Sequence, residues 1–242
     1  MPMGLHACPM PDDPELMAIM YGPVVLCGLT EEPRYFVADA KDLDAWIKPV
    51  EGEPLTFRTT GQPTDVTFIP FYKVLDEAYG VYWPVVKAGS ERHKKILAAE
   101  EDRRKREARI VDRVLANDKA SESAHNLKGE KTASGPHRGK GWRHAPDGWF
   151  SWDLKVLPDA PMTLICTYWG SDVPPRTFDV LVDDKVIATQ SLDRNKPGEY
   201  FEVEYKIPAD LTRGKAKVTV KFRAHKGNTA GGVFECATLK PE

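Results

Sequence analysis

Gly141-Trp-Arg-His-Ala-Pro-Asp-Gly-Trp-Phe-Ser-Trp-Asp-Leu-Lys155 is the stretch whose reading decides the fold. Its alternation and turn residues mark antiparallel β-structure. In a strand, Trp149 and Phe150 point to opposite faces and Trp152 shares a face with Phe150, so at least one of these rings belongs to a core. The same pattern continues in Thr167-Tyr-Trp-Gly170, in Phe178-Asp-Val-Leu-Val-Asp183 and in Ala230-Gly-Gly-Val-Phe234. Four of the six tryptophans fall between Trp142 and Trp169. A β-scaffold that gathers indoles in this way is suited to holding a sugar ring, because aromatic faces stack on the C–H faces of sugars.

Working outward, strands are predicted at 149–156, 162–169, 177–182, 185–189, 200–205, 216–224 and 232–239. Asp183-Asp184 is a hairpin turn and Lys196-Pro-Gly198 another. Seven short strands in about 120 residues fit a β-sandwich or jelly roll. Residues 1–88 read as a first β-rich module. Met17 to Gly28 is an apolar run broken by Gly22-Pro23, and further strands are predicted at 35–37, 55–59, 66–72 and 81–86. Asp39 to Ile47 suits a short helix capped by Asp39, with Leu43, Trp46 and Ile47 at i, i+3 and i+4. From Ser90, a suitable N-cap, to about residue 116 nothing breaks a helix. Residues 118–135 are polar and read as loop. The predicted architecture is mainly β: two antiparallel β-sandwich or jelly-roll modules, 1–88 and 118–242, joined by a long charged helix over 89–117.

Composition narrows the function. The net charge is −2, and Arg103-Arg104-Lys105-Arg106 is interleaved with Glu100, Glu101, Asp102 and Glu107. This is a solvated helix face rather than a nucleic-acid footprint. No run approaches the ~20 apolar residues of a membrane span, and Met1-Pro-Met-Gly-Leu-His6 has no signal-peptide character. Cys8, Cys27, Cys166 and Cys236 form no C-x-x-C pair and read as free thiols. Gly135-Pro-His-Arg-Gly-Lys-Gly141 is one residue short of a phosphate loop, and no Ser or Thr follows its lysine. There is no Gly-x-Ser-x-Gly, and His6, His93 and His225 lack partners at metal-ligand spacing.

Several segments, in order along nearly the whole chain, carry a resemblance. They are Met10-Pro-Asp-Asp-Pro14, Tyr21-Gly-Pro-Val-Val-Leu-Cys-Gly28, Thr64-Asp-Val-Thr-Phe-Ile-Pro-Phe-Tyr72 with Tyr82-Trp83, His125-Asn-Leu-Lys-Gly-Glu130, Trp142 to Lys155, and Ala230 to Phe234. Together they resemble the C-terminal part of bacterial proteins of the β-L-arabinofuranosidase family, glycoside hydrolase family 127 and its relatives. The resemblance implies that an (α/α)6 barrel precedes such β-domains, carrying the acid/base glutamate and a zinc site with a nucleophilic cysteine. No residue of this chain matches those motifs, so none is carried over. The chain is expected to be a fragment or accessory module. The family is often periplasmic or extracellular, and the sequence leaves the compartment open.

The candidate sugar-binding residues are Trp142, Arg143, His144, Asp147, Trp149 and Trp169, with His125, Asn126 and Arg138 as polar neighbours. Trp142, in a Gly-rich loop, is the first choice for an exposed ring. Glu130 and Asp147 are the candidates for a structural calcium, a common feature of sugar-binding jelly rolls; no other cofactor is expected. Three functions follow: an accessory carbohydrate-binding region acting with a hydrolase on plant-type glycans, a structural brace for a barrel or a homo-oligomer, and a hydrolase in its own right.

Overall fold

The computed structural model describes residues 3–31 and 34–241. The chain divides into two compact units, Met1–Arg103 and Arg104–Glu242.

The first unit contains β1 (Leu5–Pro9), β2 (Leu16–Tyr21), β3 (Val24–Leu29), β4 (Phe36–Val37), β5 (Ile47–Pro49), β6 (Phe57–Thr59), β7 (Thr67–Pro70), β8 (Tyr79–Gly80) and β9 (Tyr82–Val86). They join in one nine-stranded sheet, ordered β4-β9-β2-β3-β7-β6-β5, with β1 on β2 and β8 on β3. The break at Gly22-Pro23 is a hairpin: Tyr21 pairs with Val24 across two residues. Gly22 takes φ +55° at the first turn position, which glycine adopts freely. The rings of Phe36, Trp46, Phe68 and Trp83 pack at centroid distances of 5.1–5.9 Å and form the centre of this unit's core. The helix predicted over Asp39–Ile47 is one 3-10 turn, Leu43–Ala45, followed directly by β5. Trp46 is turned inward there, its indole N–H donating to Asp39 O at 3.2 Å.

The charged helix α1 runs Glu91–Glu107, and Ser90 caps it through Oγ, which accepts from the His93 N–H at 3.2 Å. It stops nine residues short of the predicted end at 116. Ile110–Leu115 is a strand, β10. Its β-branched residues favour the extended form, and pairing with the last strand buries Val114 fully. Residues 118–135 are likewise not a loop. Asp118 caps a short helix, α2 (Lys119–Ala124), by accepting from the Ser121 N–H. β11 (Lys128–Glu130) and β12 (Ala133–His137) follow.

The second unit continues with β13 (Lys140–Pro146), β14 (Trp149–Lys155), β15 (Met162–Trp169), β16 (Thr177–Val182), β17 (Lys185–Ser191), β18 (Tyr200–Ile207), α3 (Ala209–Thr212), β19 (Lys217–Ala224) and β20 (Thr229–Leu239). Two sheets form: a six-stranded one, β12-β13-β20-β15-β18 with β10 on β20, and a five-stranded one, β11-β14-β19-β16-β17. Asp183 and Asp184, at φ +48° and +64°, make the tight β16–β17 turn that their sequence signals. The inward residues alternate as β-structure requires. Phe150, Trp152 and Leu154 of one sheet meet Leu164, Cys166 and Tyr168 of the other in a shared core, which makes this unit a β-sandwich. Cys166 and Cys236 face each other across β15 and β20 as free thiols, their Sγ atoms 3.4 Å apart.

No helix of the described residues is long and apolar enough to cross a membrane.

Candidate functional site

The alternation that sends Tyr168 into the sandwich sends Trp169 to the opposite, outer face of the six-stranded sheet. The same parity turns Tyr200 outward beside the buried Phe201, and Trp142 and His144 outward on either side of the inward Arg143. Phe234 joins them from β20 and His137 from the end of β12. Five strands thus each supply at least one ring to one patch. His137 lies 4.8 Å from Trp169, Tyr200 lies 4.9 Å from Phe234 and 5.0 Å from Trp169, and His144 lies 4.6 Å from Trp142. Gly135 makes room for the Trp142 indole, because a Cβ there would come within 2.8 Å of it.

All of these rings but Tyr200, which packs against Trp169 and Phe234, line a cavity of about 180 Å³, completed by Gly232, Asp172 and Arg176. Trp142 and Trp169 are its half-buried walls. The polar groups stand together at one side. Arg176 donates through Nη1 to Gly231 O at 2.9 Å, while its Nε is 3.9 Å from the Asp172 carboxylate, beyond hydrogen-bond reach. Burial pushes the Asp172 carboxyl above the usual range, with the charges of Arg176 and His137 opposing that rise. Burial also holds the His144 imidazole below its usual value, aided by the nearby Arg176 and Arg143 cations. The Tyr200 hydroxyl donates to His137 O at 2.8 Å and lies 2.9 Å from His137 Nδ1. A hydroxyl has one proton to give, so Nδ1–H is the donor in the second bond. Outside the cavity, the Arg138 guanidinium lies 4.8 Å over the Trp169 ring and Lys140 Nζ lies 5.0 Å over Tyr200.

The site therefore combines two indole walls with a half-buried carboxylate that has unused acceptor capacity and a guanidinium with donors to spare. Such a set matches a ligand with apolar ring faces and several hydroxyls.

Residues 105–239 match the family described as a family of unknown function, DUF6805. That span is more than half of the chain. The chain belongs to the DUF6805 family. No curated protein matches it in sequence. Among solved structures, it is similar to a family 35 carbohydrate binding module from Clostridium thermocellum (8% identity, TM-score 0.40, covering 53% of this chain and 98% of that one). It is similar also to an exo-beta-1,3-galactanase from Phanerochaete chrysosporium (11% identity, TM-score 0.38, 47% of this chain and 27% of that one). A third similar structure is of carbohydrate-binding modules of the beta-sandwich super family (12% identity, TM-score 0.31, 98% of this chain and 96% of that one).

Within the DUF6805 region the predicted site residues separate. Trp142, His144 and Trp169 line the cavity, and Arg138 stacks on Trp169 at its edge. Arg143 does not reach it. It turns inward and makes a bidentate pair with Glu122 of α2, at 2.6 and 2.8 Å, with both side chains less than a tenth exposed. Trp149 lies on the five-stranded sheet with Lys221 5.0 Å from its ring. His125 and Asn126 fix a loop: the His125 ring bonds Ser121 O at 2.7 Å and approaches Asp112, and Asn126 Nδ2 donates to Asp153. Asp147 accepts from the Gly227 N–H at 2.5 Å, and Glu130 is exposed on an edge strand. Among the described residues no group of three or more His, Cys, Asp or Glu gathers as a metal site.

The sequence reading did not nominate His137, Asp172, Arg176, Tyr200, Gly232 or Phe234. One signal for Asp172 and Arg176 was present: both follow Trp169-Gly170 in a loop that leaves the strand at the same end as the indole.

Proposed function

We propose that the second unit is a carbohydrate-binding β-sandwich whose ligand occupies the cavity between Trp142 and Trp169. The observation that carries this reading is Asp172, an underbonded carboxylate half-buried among aromatic rings. A carboxylate accepts and never donates when ionised, so its natural complement is a set of hydroxyl donors. The indoles supply the apolar floor such a ligand needs, and Arg176 supplies donors to its ring and hydroxyl oxygens. The cavity offers one carboxylate where glycoside hydrolysis ordinarily uses two, which favours binding over turnover. The resemblance to the arabinofuranosidase-like family supports a finer reading: an accessory region serving a hydrolase that acts on plant-type glycans.

The test is tryptophan-fluorescence titration of the whole chain with arabinan, xylan, galactan and pectic oligosaccharides. A saturable shift with one class, lost in Trp142→Ala and Trp169→Ala, is the expected result. No shift with any class sinks the reading.

A second reading concerns the first unit. Phe71, Tyr72, Leu75 and Tyr82 are each more than half exposed, an apolar display that suits a face braced against a partner, such as a catalytic barrel or another copy of the chain. It predicts self-association of the isolated chain. A clean monomer by light scattering counts against the homo-oligomer.

A further inference from the structure

The shape and charge of the cavity narrow the ligand beyond carbohydrate in general. Its volume of about 180 Å³ falls below the roughly 300–1,000 Å³ that encloses a drug-sized ligand. The space suits one sugar ring and not several. Its lining is compact: Trp142 comes from β13 and Trp169 from β15, Phe234 and Gly232 lie on β20 between them, and Asp172 and Arg176 come from the loop after β15. An internal stretch of glycan enters and leaves its binding site along one line, so it needs two openings in register. A chain end needs one.

Among the residues that line the cavity the fixed charges are balanced, the Arg138 guanidinium lying outside it over the Trp169 ring. The one carboxylate, Asp172, and the one guanidinium, Arg176, face each other at 3.9 Å. They are close enough to offset each other and too far apart to consume each other's hydrogen bonds. An anionic ligand group would leave two negative charges and one positive in a half-buried space, and an uncompensated buried charge is costly. Two hydroxyls on adjacent ring carbons add no charge, and they can donate to Asp172 while accepting from Arg176.

Resting on the carbohydrate-binding reading above, we infer that this socket takes the terminal ring of a neutral glycan chain, not an internal stretch and not a uronic acid. The ring's apolar face lies against an indole wall and a pair of its hydroxyls bridges Asp172 and Arg176. The rest of the chain leaves into solvent and adds little to affinity.

The experiment uses the whole chain in isothermal titration calorimetry. Probes are arabino-, xylo- and galacto-oligosaccharides of one to six rings, the matching polymers, and oligogalacturonides of the same lengths. The expected result is one neutral series whose affinity changes less than about threefold from two rings to six. One protein binds per chain end, whatever the polymer length. Asp172→Asn and Arg176→Met should each lose tenfold or more in that series while melting near the parent temperature, and Trp149→Ala should bind as the parent does. Affinity that climbs steadily to six rings, or several proteins bound along each linear polymer, overturns the chain-end inference and leaves the carbohydrate reading standing. Tighter binding of oligogalacturonides than of every neutral series overturns the neutral-ligand part. Binding to none of the probes removes the underlying reading, and this inference with it.

Discussion

Tyr168 and Trp169 are adjacent in the chain and have opposite surroundings. Tyr168 is wholly buried between the sheets, its hydroxyl 2.9 Å from that of Tyr205, and burial pushes its pKa well above the usual tyrosine value. Trp169 is half-exposed on the outer face among His137, Tyr200 and the Arg138 guanidinium. One residue of β-register separates a core position from a binding position. The inner face is filled, and its charged and hydroxyl groups are paired, Arg143 with Glu122 and Tyr168 with Tyr205, although the Trp152 N–H has no partner. The outer patch is open, and its carboxylate lacks a hydrogen-bond partner. Aromatic content alone therefore says little about function here. What distinguishes the two faces is whether the charged groups among the rings are already hydrogen-bonded.

The sharpest break of this comparison lies on the inner side. Trp152→Ala should cost about 3–5 kcal/mol in urea unfolding, since it empties a fully buried indole site. Trp152→Phe should cost clearly less, because the indole N–H has no partner to lose. A loss under about 1 kcal/mol for the alanine variant would mean that this core is not packed as described. Slightly smaller is the effect of Arg143→Ala, about 3 kcal/mol, which strands the Glu122 carboxylate at 6% exposure. Replacing both partners by apolar residues of similar volume should recover most of that loss. If the double variant is no better than the single, the pair contributes through more than its charges.

The contrast explains how much the sequence revealed. From Trp149 onward the second unit's strands were legible because their alternation is regular and the β16–β17 turn carries Asp-Asp; β11 and β12 were not, being short and polar, and Lys196-Pro-Gly198 is a turn between β17 and β18 of different sheets rather than the hairpin expected. The end of α1 was not. Nothing between Ser90 and Leu115 forbids a helix, and only the distant partner strand β20 draws Ile110–Leu115 into a sheet. The site was half legible. Trp142, His144 and Trp169 announce themselves by residue type. Arg143 has the same chemistry and adjacent numbering, yet strand parity turns it inward to Glu122. Asp172 and Arg176 sit in an irregular loop with no periodicity to read, and Phe234 becomes a wall only because β20 lies between β13 and β15.

On the outer side the expected effects move from stability to binding. Trp169→Ala should leave unfolding free energy within about 1 kcal/mol of the parent while weakening the glycan it binds by roughly tenfold or more, as removal of a central aromatic anchor does. A large fall in stability with unchanged affinity would reclassify Trp169 as core.

The titratable groups of the cavity give a subtler test. Burial raises the Asp172 pKa, so the folded protein holds that proton more tightly than the unfolded chain does. Its contribution to stability is present at acid pH and is lost as pH rises through the raised value. Asp172→Asn should therefore melt at or above the parent temperature at pH 7 while binding sugar less well. His144 runs the other way. Its folded pKa is depressed, so the unfolded chain takes up the proton first, and stability falls as pH drops below about 6.5. Between pH 7.5 and 5, thermal melts of the parent should lose more than those of His144→Gln. Parallel curves would mean the imidazole is as well solvated folded as unfolded.

The smallest effect is the one that separates the two sheets. Trp149 is as aromatic as Trp169 and is partly exposed, but it lies on the five-stranded sheet beneath a lysine ammonium, and the carboxylate–guanidinium pair beside it, Asp179 with Arg223 at 3.1 Å, is already joined by a hydrogen bond. An exposed cation–π contact of this kind contributes about 0.5–1 kcal/mol. Lys221 also pairs with the exposed Asp184 carboxylate, an ion pair that water screens and that contributes little, so Lys221→Ala should cost little beyond the ring contact, and neither it nor Trp149→Ala should alter sugar affinity. If Trp149→Ala weakens binding as much as Trp169→Ala does, the ligand contacts both sheets, and unsatisfied polar groups are not what marks the binding face.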